Sequence, residues 1–161
     1  LCYAFHKHLR ERINSLVVVA SHPYRFDAPA EVEFLRDLNE ALEQGMEAMV
    51  ARSEAGLGAR LPEDRRQLLL RNDHLALIAQ QQHVDAPINL SGLDVGLDQT
   101  DVPIFLTIGT DDFLYRRAKE SSDMIKGIDY LEIEGYEHSG FLDGASDQIY
   151  PRLTNFLAKH N

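Results

Sequence analysis

Three short segments of the chain carry the β-branched and aromatic residues of strands, and the long stretches around them repeat their apolar residues at helical spacing. Leu16-Val17-Val18-Val19-Ala20 does not alternate with polar residues, the pattern of a parallel strand covered on both faces. Pro103-Ile104-Phe105-Leu106-Thr107-Ile108-Gly109 is a second such run, and Tyr130-Leu131-Glu132-Ile133-Glu134 a third, more alternating one. Upstream of the first run, Leu1, Ala4, Phe5 and Leu9 fall on one helix face that ends in Arg10-Glu11-Arg12. From Phe26 to Gln82 the spacing is helical, with Val32, Leu35, Leu38 and Leu42 on one stripe and Met46, Met49 and Val50 beyond Gly45. Gly56-Leu57-Gly58 breaks this region, and Pro62 with Glu63 and Asp64 opens a new helix, proline in its first turn and acids near its positive end. Asp73 to Gln82 predicts another helix, and Asp85 to Thr100, polar and glycine-bearing, a connecting loop. Phe113 to Lys126 is helical up to Gly127. Ser146 or Asp147 caps a last helix with Ile149, Leu153, Phe156 and Leu157 inward, where Pro151 is tolerated because the first four amides of a helix have no internal partner.

Strands alternating with helices predict an α/β fold, a parallel sheet of about three strands flanked by helices on both faces. The block between the first two strands is too long for one crossover. Residues 26–99 are therefore expected to be a helical insertion and its connecting loop within a single domain, 1–161. No internal repeat is evident.

Composition narrows the partners. Twenty-six acidic against sixteen basic residues give a formal charge of −10, which repels nucleic acid and anionic lipid. No apolar run is longer than that from Leu16 to Ala20, which falls far short of the roughly 20 residues that cross a bilayer, and no signal pattern opens the chain. Cys2 is the only cysteine, so neither an internal disulfide nor a thiolate cluster can form within these residues, and a reducing cytoplasm fits. His6 and His8, two apart, point to different faces of a helix, so no metal site and no cofactor are expected.

Ligands of open parallel sheets bind at the carboxyl ends of strands. Three clusters lie there: Ser21, His22 and Tyr24; then Gly109-Thr110-Asp111-Asp112; then Gly135-Tyr136-Glu137-His138-Ser139-Gly140. The last two offer an acid and a base, a carboxylate able to hold an imidazole by its ring N–H while the other nitrogen takes a proton. Asp112 competes with Asp111 for the acid and with a helix-capping role, and His138 with that of an ordinary loop histidine. His22 and Tyr24 either line a substrate pocket or form the turn into the insertion.

In this order, strand, G-x-x-D, helix, strand, G-x-x-H, helix, the sequence resembles the α/β-hydrolase superfamily, through Gly109-Thr110-Asp111-Asp112 and Gly135-Tyr136-Glu137-His138, the acid and histidine 26 residues apart. Leu9 to Ala20, "LRERINSLVVVA", is similar to the helix-to-strand passage after that family's nucleophile elbow, and the insertion to its cap. The resemblance implies a partial α/β-hydrolase fold with Asp112 and His138 as acid and base for a small-molecule, ester-like substrate. It also implies a nucleophile roughly five residues before Leu1, since no G-x-S-x-G occurs. Leu1, already inside a helix, fits a piece of a longer protein, and the first strand is expected to expose an edge. Cys2 and Ser139 lack the setting of an elbow. The alternatives are an epoxide or carbon–carbon bond hydrolase of the same fold, or a hydrolase-like module that binds without catalysis. Oligomeric state is not written in the pattern.

Overall fold

The computed structural model describes residues 2–24, 26–85, 96–138 and 141–160. Strands β1 (Leu16–Val19), β2 (Ile104–Gly109) and β3 (Asp129–Ile133) form a parallel sheet in the order β1-β2-β3. Val19 lies beside Thr107 and Thr107 beside Leu131, so the three carboxyl ends share one side. Every residue of β2 is buried, as a central strand between two helix layers must be, and hence its run is unbroken. β3 is an edge, partly covered until Ile133, which lets Glu132 stand in it exposed.

The strands stop where the backbone demands it. Ala20 adopts φ 48, a left-handed conformation that ends the first strand one residue before its apolar run does. Its amide still reaches the Thr107 carbonyl at 2.8 Å. Pro103, with no N–H to donate, precedes β2, and its carbonyl accepts the Leu16 amide at 2.9 Å.

Side-chain alternation in β3 sorts the helices onto two faces. Even-numbered residues meet α6 (Tyr115–Met124): Glu132 accepts the Tyr115 hydroxyl at 3.1 Å, and the Lys119 ammonium lies 4.9 Å from the Tyr130 ring centre. Odd-numbered residues meet α8 (Ser146–His160): Asp129 accepts the Arg152 guanidinium at 2.8 Å, and Ile133 packs with Ile149, Ala145 and Phe141. Phe105 of β2 joins this side through Phe156, ring centres 5.6 Å apart. The four-residue helix α7 (Phe141–Gly144) has too few residues for a period and escapes the sequence pattern. The Ala145 carbonyl, not a Ser146 or Asp147 side chain, accepts the opening amides of α8, those of Gln148 and Ile149. Pro151 is the sixth residue of that helix, past the first four amides, so the helix forgoes one bond to the Asp147 carbonyl.

At the start of the chain, α1 (Cys2–Leu9) passes into a 3-10 turn, Arg10–Arg12. Leu9 is exposed, and the side chains of Leu1, Ala4 and Phe5 lie outside the described ones. The helix is tied to the approach to β2, His6 Nε2 lying 2.7 Å from Thr100 Oγ1 and Arg10 pairing with Asp101.

Contacts divide the chain into two compact units, Leu1–Arg25 with Asn89–Asn161, and Phe26–Ile88. Among its described residues the second is all helical: α2 (Pro29–Glu43), α3 (Met46–Leu57), α4 (Glu63–Leu70) and α5 (His74–Asp85). Glu31 turns back so that its Oε2 accepts the amides of Asp27 and Ala28 at 3.0 and 3.1 Å, which opens α2. Asp73 does the same for α5 through the amides of Leu75 and Ala76. Gly56 stays inside α3, and it is Gly58, at φ 62, that ends that helix. Pro62 stands one residue before α4 rather than in its first turn. α2 packs on α3 and α5, and α3 on α4. Leu42, Met46 and Val50 are its buried residues from the expected stripe, whereas Val32 is exposed. Of the expected connecting loop, residues 86–95 lie outside the described residues, and Leu97–Gln99 form a 3-10 turn with Leu97 buried. No described helix is long and apolar enough to cross a membrane.

Candidate active site

Two loops at the carboxyl end of the sheet, one after β2 and one after β3, are locked together before any functional side chain is considered. The Thr110 amide donates to the Ile133 carbonyl at 3.0 Å, continuing the β2–β3 ladder one residue past the strand. Next, the Thr110 hydroxyl accepts the Gly135 amide at 2.9 Å, and the Asp111 amide donates to the Tyr136 carbonyl at 3.1 Å. The Tyr136 carbonyl packs directly on Gly109. A Cβ at position 109 would meet that oxygen at 2.0 Å, so only glycine admits the contact. Gly135 meets a different need, a turn at φ 76 that bends the chain out of β3. The glycines of the two signatures thus serve one junction for two separate reasons.

The junction aims Asp112 and His138 at each other. Asp112 is buried, its side chain fully so, and each carboxylate oxygen has its own partner. Oδ1 accepts the Leu114 amide at 2.8 Å, which fixes the side chain against its own turn. Oδ2 lies 2.9 Å from His138 Nδ1. Asp112 thus braces its own turn with one oxygen and meets the histidine with the other. It does not cap α6, whose capping position is Leu114. A buried carboxylate without partners would be costly, and these two bonds offset that cost.

Asp111, in contrast, is exposed, and its Oδ1 accepts the Thr110 hydroxyl at 3.2 Å. Of the two adjacent acids, Asp112 is the one brought to the histidine. His138 keeps a third of its side chain exposed and packs on Phe113, ring centres 5.0 Å apart. A carboxylate at Nδ1 favours the proton on that nitrogen, the tautomer in which Nε2 is the accepting nitrogen of the ring.

The cluster after β1 is built differently. His22 is buried and its Nδ1 accepts the Tyr24 amide at 3.1 Å, a bond that shapes the turn. The Tyr24 hydroxyl donates to Met124 Sδ at 3.2 Å, and the Arg117 guanidinium lies 5.8 Å from its ring centre. Burial first, then the Glu120 carboxylate, push the Tyr24 hydroxyl above its usual pKa, with Arg117 opposing. These partners of Tyr24 include neither Asp112 nor His138. Tyr24 borders a cavity of about 10 Å³ with Pro23, Leu97, Ser121, Met124 and Ile125, room for about one water.

Thr110, Phe113 and Tyr136 are the site residues that sequence reasoning did not single out. Two of them stood inside the quoted signatures, at the positions the signatures leave free. Among the described residues, no group of three or more His, Cys, Asp or Glu could hold a metal ion. Ser139 and Gly140 lie outside the described residues.

Neither a family model nor a curated protein matches the sequence. Solved structures do match. A carboxylesterase from the thaumarchaeon Nitrososphaera gargenis superposes with a TM-score of 0.74 at 18% identity, over 96% of this chain and 58% of that one. The enol-lactonase from Burkholderia xenovorans gives 0.70 at 17% identity, over 98% and 61%. An α/β-hydrolase enzyme from a deep-sea metagenome library gives 0.66 at 11% identity, over 97% and 60%. The chain spans about 60% of the length of the structures it matches. Its three-stranded parallel sheet with helices on both faces is part of the α/β-hydrolase fold.

Proposed function

We propose that Asp112 and His138 are the acid and base of a hydrolase that cleaves an ester-like bond in a small-molecule substrate, with a nucleophile supplied from outside residues 1–161. The observation that carries this reading is the 2.9 Å contact between His138 Nδ1 and a fully buried Asp112 carboxylate. The fold-level likeness to hydrolases supports it as analogy.

On this reading each group has a step. Asp112 Oδ2 holds the Nδ1 proton, fixing the tautomer in which Nε2 is a base. As the nucleophile's oxygen attacks the substrate carbonyl, its proton passes to Nε2, and the buried carboxylate stabilises the imidazolium without itself becoming protonated. That proton then goes to the leaving alcohol. Water, deprotonated by the same nitrogen, releases the acid. Proton transfer of this kind contributes about 10² to 10⁴-fold in rate.

The test is hydrolysis of an aryl ester by the intact protein. His138→Ala is expected to cut the rate at least about 10²-fold with the fold retained. An unchanged rate overturns the assignment. Residues 1–161 alone are expected to be inactive, and hydrolysis by them at the intact protein's rate would overturn the external nucleophile.

A further inference from the structure

We infer that Tyr136 is a positioning residue that sets His138 through a strut between the histidine loop and the end of α7, an inference that rests on reading Asp112 and His138 as an acid–base pair. Tyr136 lies two residues before His138 and is held at both ends. Its carbonyl sits on Gly109 and accepts the Asp111 amide at 3.1 Å, which binds it to the acid's loop. Its hydroxyl donates to the Gly144 carbonyl at 2.7 Å, which binds it to the last residue of α7. The ring between these ends meets Phe141 edge-on, centres 6.1 Å apart, and runs against Gly144 closely enough that a Cβ there would meet Tyr136 Cε1 at 2.7 Å.

The chemistry of the far end explains the bond. The last carbonyls of a helix have no partner within it, and the tyrosine hydroxyl satisfies one of them. Gly144 keeps the space beside it clear. A residue whose main chain is fixed to one loop and whose side chain is fixed to a helix end has little freedom left, and that restraint reaches the imidazole two residues on. The restraint matters because the Asp112 carboxylate is already fixed by the Leu114 amide. His138 must come to the acid, since the acid cannot move to it.

A structural tyrosine would contribute to stability alone, whereas a positioning one changes the protonation pattern of His138. Long-range proton–nitrogen NMR of the intact protein above pH 8 reads that pattern directly, as the ratio of the Nδ1–H to the Nε2–H tautomer. The native protein is expected to show mainly Nδ1–H. Tyr136→Phe, which keeps the ring and removes one hydrogen bond, is expected to lower the ratio about fivefold. Gly144→Ala attacks the strut from its other end and is expected to lower it as well, which covers the case of a Tyr136→Phe protein that does not fold. Tyr115→Phe also loses one hydroxyl bond, to Glu132 on the opposite face of the sheet, and is expected to leave the ratio unchanged. If the native protein shows Nδ1–H and Tyr136→Phe or Gly144→Ala, folded, keeps the native ratio, the strut is overturned while the acid–base pair stands. If the native protein lacks the Nδ1–H form, the pair falls and the strut with it.

Discussion

Replacing Gly109 with alanine tests the junction on which the site depends. The added Cβ would lie 2.0 Å from the Tyr136 carbonyl oxygen, 2.7 Å from its carbon and 2.9 Å from Tyr136 Cβ. Carbon and oxygen in favourable contact stand about 3.3 to 3.6 Å apart, so one loop must withdraw by roughly 1.3 Å. That movement takes the Asp111 amide out of reach of the Tyr136 carbonyl. Overpacking of this kind costs about 1 to 3 kcal/mol and the lost hydrogen bond about 1 kcal/mol more, a destabilisation of about 2 to 4 kcal/mol. For a chain of this length that corresponds to a fall in Tm on the order of 10 °C. Urea unfolding followed by circular dichroism measures it as a lower midpoint with an unchanged slope. Gly127→Ala is the control. Gly127 has φ 75 but nothing within 4 Å of its would-be Cβ, so it costs only the backbone strain, about 1 to 2 kcal/mol. A Gly109→Ala protein within about 0.5 kcal/mol of the native one would refute the crowding on which the junction is argued.

Two further substitutions probe buried hydroxyls. Thr107 Oγ1 is buried in β2 with no hydrogen-bond partner, so Thr107→Val is expected to raise stability by about 1 kcal/mol; a lower urea midpoint would contradict this. The Tyr130 hydroxyl is buried beside the Glu132 carboxylate, and burial, followed by that charge, holds its pKa well above the usual phenol value of 10.0. Because the folded value is the raised one, this contribution to stability is complete below pH 10 and is lost as pH climbs from there toward the folded pKa. Tyr130→Phe should flatten the fall in Tm above pH 10, and an identical alkaline slope in both proteins would count against it.

The sheet was legible because burial on both faces leaves an uninterrupted apolar run, as in β2, and because Glu132 could interrupt β3 only at an edge. Strand ends were less so. Ala20 belongs to the apolar run by composition but leaves the strand through its backbone angle, which composition does not report. Pro151 is a similar case, since packing of Ile149 and Phe156 sets the start of α8 and overrides the missing amide. At the site, the strand-end positions exposed Asp112 and His138 as a pair, and only the G-x-x-D spacing favoured Asp112 over its neighbour Asp111. The Leu114 amide makes that choice by capturing one oxygen of Asp112 and turning the other toward the imidazole. The Gly109–Tyr136 contact was invisible for a related reason. It depends on where the backbone of another loop arrives, 27 positions along the chain. His22 illustrates the converse, a histidine at a strand end whose Nδ1 is used by the Tyr24 amide to form a turn.

The central claim is that Asp112 holds the Nδ1 proton so that Nε2 of His138 can act as the base. Asn at position 112 fills the same space, and its amide oxygen can still accept the Leu114 amide. Its NH₂, however, faces Nδ1 and forces the opposite tautomer, in which Nε2 carries a proton and cannot accept one. The deciding measurement is aryl-ester hydrolysis by the intact protein carrying Asp112→Asn, beside Asp111→Asn. The account predicts a loss of about 10⁴-fold in kcat for Asp112→Asn and native kcat for Asp111→Asn. Native kcat in Asp112→Asn, or an equal loss in both, would contradict it.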